Sequence, residues 1–253
     1  LQLVTRDSSF RNLTRLPPPA RCPVTIDQKL DLLTRIYALY DTFARGLKVA
    51  CRKYCDHCCT LNVSLTTLEG YHLVRGLEPQ QLAVLRAGLA PAFAQASFRP
   101  RLTTNRIAAL CRAGREIPEE VYGTSGDSCP LLQDAICRVY PLRPFGCRCF
   151  VSRVACREAG SAEMPDFVLT VNTVFMQTIE HLDASGCTGN LTDVLLCLEP
   201  EENQRAYRQD RLDCSATGLI GNHRLTALMV PPEHRNRMQP ILSALRRLPI
   251  EPS

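Results

Sequence analysis

The sequence predicts a mainly α-helical fold, and three observations support this prediction. Apolar residues recur at three- and four-residue steps in several long segments, which is the period of a helix with one buried face. Two segments begin with a Thr followed three residues later by Gln or Glu, the pattern of a capping box. The strict alternation of apolar and polar residues that marks a half-buried strand is nearly absent. We therefore expect one helical domain over residues 25–253, preceded at 1–24 by an extended arm with three consecutive prolines.

The predicted helices follow in order along the chain. The first begins after Thr25, and its apolar face leads the chain directly to Cys51. That face is formed by Ile26, Leu30, Leu33, Tyr37, Tyr40, Ala44 and Leu47. Further helices are expected after Thr66 and at 79–96, 103–112, 166–183 and 192–207. Residues 118–132 are expected to be irregular, and the chain shows no internal repeat and no second domain.

The composition limits the classes of protein to which the chain can belong. At 253 residues it can bury a full hydrophobic core without disulfide staples. Its net charge of +5 is mild and its arginines are scattered, so we expect no nucleic-acid partner, which would require a concentrated basic face. No apolar stretch approaches the roughly 20 residues of a membrane span, and no secretory signal is visible at the N-terminus. We expect a cytoplasmic protein without a membrane span, whose cysteines stay reduced.

The most informative feature is the placement of the cysteines. The chain has fourteen, and two groups of four are separated by about seventy residues. The groups are Cys51, Cys55, Cys58 and Cys59, and then Cys129, Cys137, Cys147 and Cys149. Disulfides fit this crowding poorly, because a bond between neighbours such as Cys58 and Cys59 is strained. Thiolates two or three residues apart can turn onto one ion, so the spacing predicts a metal centre.

The other six cysteines carry weaker signals. Cys156 extends the second group and is a weaker candidate for the centre. Free cysteines are commonly small buried apolar residues. We expect this role for Cys22, Cys111, Cys187, Cys197 and Cys214.

The motifs around the two groups resemble those of a known family. They are C-x(3)-C-x(2)-C-C at 51–59, Cys129-Pro130-Leu131-Leu132, Cys137-Arg138-Val139-Tyr140 and Arg143-Pro144-Phe145-Gly146-Cys147-Arg148. This order is similar to that of the YkgJ-type cysteine-cluster proteins, described as zinc- or iron-chelating domains, and distantly to the cluster of flagellin lysine-N-methylases. The resemblance covers about residues 48–150. It departs from the family at Cys51 and Cys55, which are separated by three residues where two are usual, and at His57, where a small residue is common.

Two kinds of metal centre fit the predicted ligands. Structural zinc takes four ligands in a closed tetrahedron, and an iron–sulfur cluster such as 4Fe-4S also takes four cysteines. We favour iron–sulfur, because Arg138, Arg143 and Arg148 lie within a few residues of the cysteines and would offset the negative charge of a thiolate-bound cluster. Of these, Arg143 and Arg148 are expected to point toward the cluster. The loop 123–128 is also expected to present backbone N–H groups to sulfur. Zinc remains the alternative.

Three functions follow from such a centre. The leading hypothesis is electron transfer or an accessory redox role for a protein partner. The second is a zinc-stabilised protein-interaction module without catalysis, and the third is a metal-dependent protein-modifying enzyme. The common nucleotide-binding, zinc-protease and serine-hydrolase motifs are absent from the sequence. The sequence specifies no small-molecule substrate and leaves open whether the protein is an enzyme.

Overall fold

The computed structural model describes residues 24–52, 54–93, 98–120, 127–215 and 218–250. Helices account for about 51% of the described structure, which also contains a few short strands. The fold is thus a mixed α/β one that is dominated by helices, and the mainly helical prediction holds only at this coarse level. The predicted arm at 1–24, except for its last residue, and Cys22 lie outside the described residues, as does most of the predicted loop at 123–128. Among the described helices, none combines the length and apolar content needed to cross a bilayer.

Ten α-helices occur in the described part of the chain. They are α1 (Ile26–Ala44), α2 (Thr67–Arg75), α3 (Pro79–Phe93), α4 (Thr104–Arg112), α5 (Phe145–Arg148), α6 (Cys156–Ala159), α7 (Asp166–Leu182), α8 (Leu191–Leu198), α9 (Glu201–Arg208) and α10 (Arg235–Arg246). The sequence predicted α1, α2, α3, α4 and α7 close to these bounds. It did not predict α5, α6 or α10.

Both predicted capping boxes are present. The Thr25 side chain accepts the Gln28 N–H, and the Gln28 side chain accepts the Thr25 N–H at 2.8 Å. Thr66 and Glu69 make the same exchange at the start of α2, where the Thr66 N–H donates to Glu69 at 2.9 Å. Each exchange satisfies N–H groups that the first turn of a helix leaves unpaired.

The buried face of α1 is close to the predicted one. Leu33, Tyr37 and Tyr40 are buried as expected, and Leu32 and Ile36 are buried beside them. Leu47 was predicted on this face, but α1 ends before it.

The helix predicted over 192–207 is instead two helices. The first, α8, ends at Leu198, and α9 begins at Glu201 with Pro200 as its N-cap. Proline has no N–H to donate and its ring clashes with the preceding turn. Pro200 therefore disfavours a single helix at this point, and the chain starts a new helix after it.

Short antiparallel strands connect distant parts of the chain. Strand β4 (Cys187–Asn190) lies between β1 (Ser64–Thr66) and β5 (Ile220–Gly221). A separate hairpin pairs β2 (Leu132–Gln133) with β3 (Ile136–Cys137). Strands of two to four residues are too short to show alternation, which explains why the sequence did not reveal them.

A disulfide joins Cys187 to Cys214. The prediction that both are free cysteines was therefore wrong. The bond ties β4 to the segment that follows α9. The expectation of a cytoplasmic location rested in part on reduced cysteines, and this bond removes that support.

An aromatic cluster connects the core to the second cysteine group. Tyr40 of α1 meets Phe145 of α5 with ring centroids 4.7 Å apart, and Phe175 of α7 stacks on Phe145 at 5.7 Å. All three side chains are buried. The short helix that carries Cys147 is therefore anchored in the core.

Candidate metal centre

The first cysteine group lies on two consecutive turns. The Cys55 N–H donates to the Arg52 carbonyl at 3.0 Å, and the Cys59 N–H donates to the Asp56 carbonyl at 2.8 Å. Tyr54 adopts a φ of 69°, which is rare for a bulky residue. The three-residue spacing between Cys51 and Cys55 is thus accommodated by a left-handed residue, and the group is folded into a compact loop.

The two cysteine groups lie side by side. The Cys129 N–H donates to the Cys59 carbonyl at 2.9 Å, and the Leu61 N–H donates to the Asp127 carbonyl at 3.1 Å. Thr60 and Ser128 form an antiparallel bridge between these bonds. Backbone pairing therefore brings together segments that are about seventy residues apart in the chain.

The hairpin β2–β3 positions Cys129 and Cys137. Its two-residue loop has Asp134 at φ 51° and Ala135 at φ 58°, as a type I′ turn requires. Cys137 lies opposite Leu132, whose N–H donates to the Cys129 carbonyl at 2.9 Å. Both cysteines therefore lie at the base of one hairpin.

Buried Glu69 positions the turn that carries Cys147. Its carboxylate accepts the Phe145 N–H at 2.7 Å and the Tyr37 hydroxyl at 2.8 Å. Gly146 lies directly against β1, since a Cβ at this position would be 3.1 Å from the Ser64 carbonyl oxygen. The α5 turn is thus held by α2 on one side and β1 on the other. Sequence analysis identified Glu69 only as a capping residue.

Four thiols from the two groups lie close enough for the charge of one to change the pKa of another. Burial, with a smaller contribution from the charge of Cys137, raises the pKa of Cys129 to about 11. Burial also raises the pKa of Cys147, with added repulsion from Cys129, Cys137 and Cys58. The pKa of Cys59 is lowered by a hydrogen bond from Cys58, against burial and the charges of Cys129, Cys147 and Cys137. A cation among these thiols would remove the repulsion and favour their ionised forms.

Backbone N–H groups point at three of the sulfurs. The Ser152 N–H donates to Cys51 Sγ at 3.3 Å. The N–H groups of Leu131 and Val139 donate to Cys129 and Cys137, and each bond lowers the pKa of its thiol. We expected such donors from the loop 123–128, most of which is outside the described residues. The observed donors come instead from two residues after each of Cys129 and Cys137.

Cys149 occupies a different environment from the other predicted ligands. It is buried, and its thiol donates to the Gly146 carbonyl at 3.6 Å. Asn172 on α7 donates to the Cys149 carbonyl at 3.0 Å. Burial, with a smaller contribution from Glu69, raises the pKa of Cys149 to about 12. This setting resembles that of a structural core thiol more than that of a ligand.

The two predicted arginines face different surroundings. The Arg143 guanidinium lies 3.8 Å from the centre of the Tyr140 ring, and its charge lowers the pKa of Cys137. Arg148 pairs with Asp41 of α1 at 3.2 Å and donates to the Pro141 carbonyl at 2.7 Å. The charge of Arg143 therefore acts on Cys137, whereas Arg148 ties the segment before α5 to α1.

The thiols are neighbours without being gathered around one point. Over the described residues, no three His, Cys, Asp or Glu side chains form a group that could hold a metal ion as they stand. The donor set nevertheless fits a thiophilic metal, because it consists of sulfurs that already accept backbone N–H groups.

No family model, curated protein or solved structure matches the chain. The resemblance to the YkgJ-type proteins therefore stays a prediction, and the geometry of the thiols carries the functional argument.

Proposed function

We propose that the chain is a metal-binding protein whose clustered cysteines hold an iron–sulfur cluster for electron transfer or an accessory redox role. The observation that carries the proposal is the grouping of Cys59, Cys129, Cys137 and Cys147. These four residues come from two distant segments that are joined by backbone hydrogen bonds, and each thiolate form would be disfavoured by the charge of its neighbours. A bound cation would remove this cost and allow the four cysteines to ionise together.

The surroundings of the four thiols favour an iron–sulfur cluster. Such a cluster is held by four cysteines, and its potential depends on hydrogen bonds to sulfur and on nearby charge. Leu131 and Val139 supply two of those hydrogen bonds, and Arg143 supplies a positive charge near Cys137. When bound, the cluster would supply one-electron chemistry. The residues of this chain would hold it, neutralise part of its charge and limit its access to water.

A protein partner is part of the proposal. Several of the exposed large apolar side chains flank the cysteines, namely Tyr54, Ile136, Tyr140 and Phe150. Tyr54 and Tyr140 each expose 59% of their surface. Apolar side chains grouped around a functional centre are typical of an interaction surface. An electron-transfer partner would need to approach the centre at this surface.

A zinc-stabilised interaction module is the second candidate. The same N–H donors to Cys129 and Cys137 suit a closed four-thiolate zinc site equally well. Zinc has no redox activity, so this protein would use the exposed apolar side chains only for binding.

Anaerobic purification with iron, zinc and acid-labile sulfide analysis tests the proposal. We expect iron and sulfide in similar amounts and visible absorption that bleaches on reduction. Zinc without sulfide would overturn the iron–sulfur proposal in favour of the second candidate. A chain without metal, also after anaerobic reconstitution with iron and sulfide, would overturn both.

A matched pair of variants tests the ligand assignment. Cys147→Ser should lose bound metal, because Cys147 is central among the four thiols. Cys197→Ser is the control, since Cys197 is a buried cysteine on α8, outside both cysteine groups and outside the disulfide. It should retain the metal content of the wild type. Equal metal content in the two variants would count against the assignment.

A further inference from the structure

Eight thiols can be assigned to two sets of four. The first set is the one proposed above, and the second is Cys51, Cys55, Cys58 and Cys156, with Cys58 at the boundary because its charge also acts on Cys147. The Cys51 thiol lies within electrostatic reach of the other three members of the second set. Cys156 extends the second predicted group in sequence and was a weaker candidate for the centre.

Three bonds attach the segment before and within α6 to the first cysteine loop. The Ala50 N–H donates to the Ser152 carbonyl at 2.8 Å, and the Ser152 N–H donates to Cys51 Sγ at 3.3 Å. Further along, Arg157 pairs with Asp56 at 2.9 Å. These bonds fix both ends of the segment 152–157 against the loop, so they place Cys156 beside it.

The conformation of the segment that leads to Cys156 is itself well fixed. The Ser152 side chain, which is 1% exposed, donates to the Val154 carbonyl at 2.8 Å and accepts the Glu163 N–H at 3.0 Å. Cys156 is also buried, and its thiol makes a long hydrogen bond of 4.0 Å to the Val154 carbonyl. A buried thiol is thus held beside the loop that carries Cys51.

We propose that Cys51, Cys55, Cys58 and Cys156 form a second four-thiolate site, which binds a thiophilic metal centre of the same kind as the first. This inference rests on the proposed function of the first set. Cys55 and Cys58 have the C-x-x-C spacing that directs two sulfurs to one centre. Cys51 already accepts a backbone N–H, as thiolate ligands commonly do.

The two sites would be adjacent. Cys58 and Cys59 are consecutive residues joined by a hydrogen bond between their thiols, and the proposal assigns them to different sites. A single cysteine run that divides its ligands between two clusters is a known arrangement in two-cluster proteins. This division also explains why the chain keeps two adjacent cysteines that cannot easily share one ion.

Metal stoichiometry in the full chain tests the second site. After anaerobic reconstitution with iron and sulfide, and separately with zinc, the wild type should bind twice the metal of Cys156→Ser. Cys147→Ser should also bind half, and the double variant should bind almost none. Cys111→Ser, which replaces a half-buried free thiol on α4, should bind the full amount.

The variant Cys55→Ser separates loss of metal from loss of folding. Cys55 is exposed, so this variant should fold like the wild type by circular dichroism and still lose half of the metal. Full metal content in both Cys55→Ser and Cys156→Ser would overturn the second site and leave the first intact. Complete loss of metal in a folded Cys55→Ser would also overturn it, because one shared centre would then be present. A wild type that binds no metal would overturn the proposed function and this inference together.

Discussion

At the scale of single residues, the candidate centre depends on polar groups that lie in the core. Glu69 is 4% exposed, yet its carboxylate bonds to α1, to the N-terminus of α2 and to the turn that carries Cys147. A buried carboxylate needs such donors to offset its lost hydration. The position of Cys147 is therefore set by a residue far from it in sequence. Sequence analysis found Glu69 by its local capping pattern, whereas its contact with Phe145 required the folded chain.

Arg143→Gln should lower the reduction potential of an iron–sulfur centre. Arg143 is the cation that lowers the pKa of Cys137, and removing it makes an added electron less favourable. The expected change is on the order of tens of millivolts, because the side chain is partly in contact with water. Redox titration followed by visible absorption gives the measurement.

Arg138→Gln is the matched control for Arg143→Gln. Arg138 follows Cys137 directly, but its exposed guanidinium contacts Gln133. Its removal should change the potential much less. Equal shifts in the two variants would show that Arg143 acts only through the net charge of the protein.

Asp183 should make folding stability depend on pH. Its carboxylate is buried, and burial raises its pKa to about 6 from 3.8. Between these two values the folded state holds a proton that the unfolded state has lost. The contribution of Asp183 is therefore fully present below pH 3.8 and is lost as the pH rises through 6, with a total of about 3 kcal/mol.

Urea unfolding from pH 4 to pH 7 measures this effect. Asp183 accepts hydrogen bonds from Thr67, Leu68 and Tyr207, so Asp183→Asn should be less stable throughout. The decline in stability with rising pH should be smaller in Asp183→Asn than in the wild type. Parallel curves for the two proteins would contradict the prediction.

At the scale of elements, the sequence predicted the helices whose starts have a local sequence pattern. The capping residues of α1 and α2 lie within three positions of the helix starts, so both starts could be predicted. The break between α8 and α9 was not predicted, although Pro200 is a local signal for it. The turn of β2–β3 was missed because Asp134-Ala135 lacks the Gly that usually marks a type I′ turn.

Ala135→Gly should therefore stabilise the hairpin that carries Cys129 and Cys137. Ala135 has a φ of 58°, which Gly adopts without the steric cost paid by a residue with a Cβ. The expected gain in the free energy of unfolding is about 1 kcal/mol.

The same substitution in α1 provides a control of opposite sign. Ala38 is an exposed residue in the interior of that helix, and Ala38→Gly should cost about 1 kcal/mol. Chemical denaturation of the two variants beside the wild type gives both values. A loss of stability in Ala135→Gly would show that the turn does not have the described geometry.

At the scale of the whole molecule, long-range links decide what the sequence could not show. The two predicted cysteine groups do meet, and their spacing was sufficient to expect this. The position of Cys156 beside Cys51 depends on bonds made by Ser152 and Arg157, which have no local pattern. The disulfide between Cys187 and Cys214 depends on the placement of β4 within its sheet. Such pairings follow from tertiary packing and not from spacing along the chain.

The disulfide and the metal centre should stabilise the molecule independently. Cys187 and Cys214 are 27 positions apart, and closing a loop of that length stabilises a fold by about 3 to 4 kcal/mol. Neither cysteine belongs to the proposed sets of ligands. Reduction of the wild type under anaerobic conditions should therefore lower its free energy of unfolding by about that amount and leave its metal content unchanged.

The variant Cys187→Ser/Cys214→Ser separates the two effects. Without the disulfide it should be less stable than the wild type, and a reductant should not destabilise it further. Its metal content should equal that of the wild type, while a chelator should lower the stability of both proteins because the metal binds the folded state. Loss of metal in this variant would show that the disulfide is needed to hold the cysteine loops in place. The prediction that the disulfide and the metal stabilise the fold independently would then be wrong.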